Sequence, residues 1–127
     1  MVVIMLGTND LKVQYVRSGY EIAQALRQYI ETVRQEKADA YILLVSPVYV
    51  DDTAPLFQEY YHDTYDGNSA KKSRELAQKI QKVATDNGCH FYDASIVAKA
   101  GLDGIHLDAG SHQKLANALT RAIRQAS

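Results

Sequence analysis

Tryptophan is absent from the 127 residues, cysteine occurs once, and proline and phenylalanine occur twice each. The single cysteine, Cys89, excludes an intrachain disulfide and any zinc cluster built on cysteines, and it accords with a reducing compartment. Charge of either sign is not in excess, since 14 basic against 15 acidic side chains leave a net charge of −1. That balance provides no electrostatic footprint for nucleic acid and no polybasic surface for a membrane. No run approaches the roughly 18 apolar residues of a membrane span, and the first residues lack the basic flank and apolar stretch of a signal peptide. The chain therefore reads as cytoplasmic, and any leader would lie upstream of Met1.

What is present suffices for one globular domain over residues 1–127, with 46% hydrophobic and 23% charged residues. "VVIML" (Val2 to Leu6) is a continuous apolar run ending at Gly7, the pattern of a strand covered on both faces. Ser18 with Glu21 forms a capping box, and Ile22, Leu26, Tyr29, Ile30 and Val33 recur at helical spacing to about Lys37. "AYILLVSP" (Ala40 to Pro47) is a second buried strand, stopped by proline. The next stretch, residues 48–67, has no sustained period and holds four of the nine tyrosines, so it reads as a long connection. A second helix begins at Asn68 or Ser69, with Leu76, Ile80, Val83 and Ala84 on one face and Gly88 at its end. "CHFYDAS" is a third strand, and Asp108 caps a last helix with a stripe of Leu115, Ala116, Leu119 and Ile123. This order predicts an α/β fold, a flavodoxin-like parallel sheet with helices on both faces, incomplete at about three strands and three main helices.

Open parallel sheets place ligands at the carboxyl ends of their strands. "GTND" (Gly7 to Asp10) occupies such an end, and the Asn9 amide could donate to a developing oxyanion, with Gly7 and Asp10 supporting the turn. The plainer reading is that these are turn residues after a strand. "DGIHL" (Asp103 to Leu107) places a carboxylate three residues before a histidine. With Gly104 between them the chain can fold back, so that Asp103 accepts the Nδ1 proton and leaves Nε2 of His106 as a general base. Here too a simple turn with a loop histidine is the alternative. Tyr49, Tyr60, Tyr61 and Tyr65 with Phe57 in the long connection could line a substrate cleft, or could pack the loop onto the body. His62 and the nearby aspartates match no known spacing of metal ligands, so neither a metal nor any other cofactor is expected.

Together, "IMLGTND" near one end and "DGIHLDAGSHQKLANAL" near the other resemble the third and fifth blocks of the SGNH (GDSL-type) hydrolases. The likeness is to the arylesterase and acyltransferase branch and runs in order along the whole chain. It implies a serine esterase acting on small esters, with Asn9 donating to the oxyanion, His106 as general base and Asp103 orienting it. The family's "GDS" nucleophile block and its second, glycine-bearing block do not occur here. Of the seven serines only Ser46, at a strand end, has a suggestive position, and Pro47 after it argues for a structural role. The resemblance thus implies the C-terminal part of an SGNH domain, completed by a missing N-terminal segment or by self-association. An inactive scaffold subunit and a flavodoxin-like binding module are the alternatives.

Overall fold

The computed structural model describes residues 1–126. Three strands, β1 (Val2–Ile4), β2 (Ile42–Ser46) and β3 (His90–Asp93), form one parallel sheet in the order β1-β2-β3. Val2 pairs with Ile42, and Leu43 with His90, which sets the register. Four helices accompany them: α1 (Gly19–Glu36), α2 (Phe57–Tyr61), α3 (Gly67–Asp86) and α4 (Ala109–Ala126). The expected α/β layout is therefore present, with one short helix added inside the long connection.

β2 is buried at all five positions, and its side chains alternate between two separate cores. Ile42 and Leu44 face a core shared with Ile22, Leu26 and Ile30 of α1 and Leu76, Ile80 and Val83 of α3. Leu43 and Val45 face the other way, toward Leu115 of α4 and Ala94. The period of two along one strand thus puts α1 and α3 on one face and α4 on the other.

Local signals explain the helix starts. The Ser18 hydroxyl accepts from the Glu21 N–H at 3.1 Å and the Glu21 carboxylate accepts from the Ser18 N–H at 3.2 Å, closing the capping box. α3 begins one residue earlier than expected, because Asp66 caps it and accepts from the Ser69 N–H at 2.9 Å. Asp108 caps α4 through the Ser111 N–H at 2.7 Å. Two positions of the expected stripes face outward: Tyr29 of α1 is exposed, and in α4 Ala118 is buried where Ala116 is not. Cys89 is half-buried beside Arg34, whose guanidinium lies 3.7 Å from Sγ, and burial pushes the thiol up against that cation's pull.

Candidate active site

Two loops that follow strand ends carry the candidate residues. After β1, Gly7 adopts a φ of 139° with its Cα in the core, and a short 3-10 turn, Asn9–Leu11, follows. Asn9 is exposed and lines a cleft of about 700 Å³ with Leu6, Thr8, Asp10 and the α1 residues Ala25 and Tyr29. Asp10 is held by Arg17, whose guanidinium donates to its carboxylate at 2.6 Å.

The second loop, between β3 and α4, folds into a tight turn. Asp103 Oδ1 accepts from the backbone N–H groups of Ile105 and His106, each at 2.9 Å. Its other oxygen, Oδ2, lies 2.6 Å from His106 Nδ1. Burial opposes ionisation of Asp103, but the imidazole and the two N–H groups outweigh it and hold the carboxyl below its usual range. His106 itself is outside the lining of the Asn9 cleft, with 75% of its side chain exposed. With Nδ1 engaged by a carboxylate, Nε2 is the nitrogen free to accept a proton from a substrate or nucleophile.

This turn rests on the long connection. Its Gly104 has a φ of 81°, and its carbonyl accepts from the Asp51 N–H at 2.9 Å, while Leu102 O accepts from Leu56 N–H at 2.9 Å. α2 in turn carries Tyr61, whose hydroxyl lies 3.4 Å from His106 Nδ1. On its far side the same connection meets the loop after β1, where the Thr64 carbonyl accepts from the Val13 N–H at 2.9 Å. Segment 48–66 therefore links the two candidate loops.

The five aromatics expected in a cleft have different placements. Phe57 is 3% exposed and belongs to the core, beneath Gly104, because α2 turns it inward. It packs rather than lines. Tyr49 borders a cleft of about 440 Å³ with Arg74 and Lys99, and Tyr60 is exposed. Ser46 is wholly buried and donates to Asp93 Oδ1 at 3.2 Å, a structural contact. Tyr65 is buried, and Tyr61 approaches His106, a contact the sequence does not announce because it spans 45 positions. Among the described residues, no three His, Cys, Asp or Glu side chains converge to hold a metal ion, and no helix is long and apolar enough to cross a membrane.

Residues 1–119 match the GDSL-like Lipase/Acylhydrolase family. The chain belongs to that family. Its structure is similar to Est24, a carbohydrate acetylesterase from Sinorhizobium meliloti, with a TM-score of 0.88 and 28% identity over 99% of this chain and 60% of that one. It is also similar to the aryl esterase of M. smegmatis, with a TM-score of 0.83 and 28% identity over 99% of this chain and 60% of the other. No curated protein sequence matches it. The chain thus spans about 60% of the length of these solved esterases. Family membership sets aside the reading of the chain as an unrelated flavodoxin-like module.

Proposed function

We propose that this chain contributes the general base, its orienting carboxylate and one oxyanion donor to an SGNH serine esterase of small esters. The observation that carries this reading is the 2.6 Å contact between Asp103 and His106 Nδ1, made by a carboxylate already fixed by two backbone N–H groups. In the reaction a serine Oγ attacks the acyl carbonyl while His106 Nε2 takes its proton. Asp103 keeps the second imidazole proton on Nδ1 and stabilises the imidazolium. Asn9 donates its amide N–H to the tetrahedral oxyanion, a contribution of about 3 kcal/mol in comparable sites. His106 then returns the proton to the leaving alcohol, and water releases the acyl group by the same steps in reverse.

The serine comes from outside these 127 residues, since no "GDS" block occurs among them. The free edge of β1, where Val3 is 40% exposed beside Leu6 at 43%, is the place for an added strand that brings it. Acetyl esters of carbohydrates and aryl esters are the substrate classes suggested by the two similar structures.

The test is a fusion of this chain behind the remaining portion of the M. smegmatis aryl esterase, assayed on p-nitrophenyl acetate beside the chain alone. The fusion should hydrolyse the ester, the chain alone should not, and His106→Ala should lower the fusion's rate about 10⁴-fold. A folded, inactive fusion would favour the scaffold reading.

A further inference from the structure

His106 has an unusual amount of freedom for a residue with a positional task. Three quarters of its side chain is in solvent, and the Asp103 contact fixes a single ring atom. A ring held at one nitrogen can still swing about that hydrogen bond, which moves Nε2 through an arc while the bond to Asp103 survives. Water also has direct access to an exposed hydrogen bond of this kind and competes for both partners.

One polar group from another element reaches this contact. Tyr61 ends α2, and its hydroxyl lies 3.4 Å from His106 Nδ1. Its ring is set by neighbours on three sides: Phe57 at 6.2 Å, Tyr60 at 6.4 Å and Tyr65 edge-on at 5.5 Å between centroids. Tyr65 is itself buried at 3% exposure, so the cluster anchors Tyr61 to the core. Residues 102–104 are tied to the chain just before α2 by the Leu102–Leu56 and Gly104–Asp51 backbone bonds. Hydroxyl and imidazole are therefore carried by two segments locked in fixed relation.

We infer that Tyr61 is a positioning residue: its neutral hydroxyl shares the Asp103–His106 contact from a second direction and shields the Nδ1 proton from water. Tyr61 does not touch substrate in this role and acts through His106. The phenol suits the task because burial, and after it the Asp103 carboxylate, push its ionisation above the usual range, so it keeps its proton at neutral pH. The groups facing the imidazole are Asp103 from its own turn and Tyr61 from α2. Asp51, the next carboxylate along the locked segments, is turned onto the Thr53 hydroxyl at 2.6 Å.

This inference rests on His106 being the general base, and the test separates the two claims. The 127-residue chain is labelled with ¹⁵N-histidine, and the His106 Nδ1–H signal and its exchange with water are followed at neutral pH. Asp103→Asn should abolish the signal. Tyr61→Phe, which keeps the ring contacts, should leave Asp103 in place yet speed exchange about fivefold, the factor one net hydrogen bond is worth. Tyr60→Phe, with an exposed hydroxyl on the next position, should change nothing. If Asp103→Asn abolishes the signal but Tyr61→Phe exchanges like the wild type, the positioning role is overturned while the base reading stands. If Asp103→Asn leaves the signal unaltered, both fall. The signals of His90 and His112 should stay unshifted in Tyr61→Phe, which keeps the aromatic cluster; faster exchange accompanied by a shift there would overturn the positioning role in favour of a structural one.

Discussion

Asp51 and Gly104 lie face to face: the Asp51 N–H donates to the Gly104 carbonyl at 2.9 Å, and the open side of Gly104 is pressed against the Asp51 carbonyl. A Cβ there would fall well inside van der Waals contact with that oxygen and would reach within 2.9 Å of the Phe57 ring. With a φ of 81° the backbone also disfavours any side chain. Gly104→Ala should therefore cost about 2–4 kcal/mol in urea unfolding. Because Gly104 stands between Asp103 and His106, the same change should also weaken the Nδ1–H signal of His106.

Asp103 contributes stability that depends on pH. Its folded carboxyl lies below the unfolded value of about 3.9, so the contribution is full above that value and is lost as pH falls through the lower folded one. Wild-type stability should therefore fall in acid below about pH 4. Asp103→Asn should be less stable than wild type at pH 7 and should converge on it in acid. Unfolding curves at several pH values measure this, and parallel curves for the two proteins would contradict it.

Ser46 should be inert. Its hydroxyl is fully buried and donates to Asp93, which also accepts from the Ser95 N–H at 2.9 Å and the Ser95 hydroxyl at 2.6 Å. Replacement by alanine leaves Asp93 satisfied, so the loss should be about 1 kcal/mol. A fluorophosphonate should label none of this chain's serines. Labelling abolished by Ser46→Ala would place a nucleophile in this chain and reverse the reading.

Asn9 should separate catalysis from folding. Its side chain is exposed and its backbone carbonyl, which accepts from Lys12 N–H at 3.3 Å, survives any substitution. Asn9→Ala should alter stability by no more than about 0.5 kcal/mol. In the fused esterase it should lower kcat about 100- to 1,000-fold, as expected for one oxyanion donor. An unchanged kcat would remove Asn9 from the reaction.

Features that depend on neighbours in sequence were legible. Ser18 and Glu21 announce α1 because both partners of the capping box lie within one turn, and the Asp103–His106 contact is readable because three residues with a glycine between them can close only tightly. β2 was legible because four of its five buried positions, Ile42 to Val45, form an unbroken apolar run. Features set by tertiary packing were not. α2 has five residues, too few to show a period, so Phe57 reads as a loop aromatic although it is core. Asp66 was passed over as a cap because it ends a run of acidic loop residues that carries no helical period. Tyr61 reads only as one more loop aromatic, since only the folded chain brings it to His106.

The short strand that delivers Asn9 is also the rim of the sheet. β1 contributes three residues and is bonded along one side only. A strand seated on its open side would steady the Gly7 turn that aims the amide, in the same motion that brings a serine within reach. Assembly and reactivity would then be a single event, and fragments that had not yet met would be chemically silent rather than promiscuous.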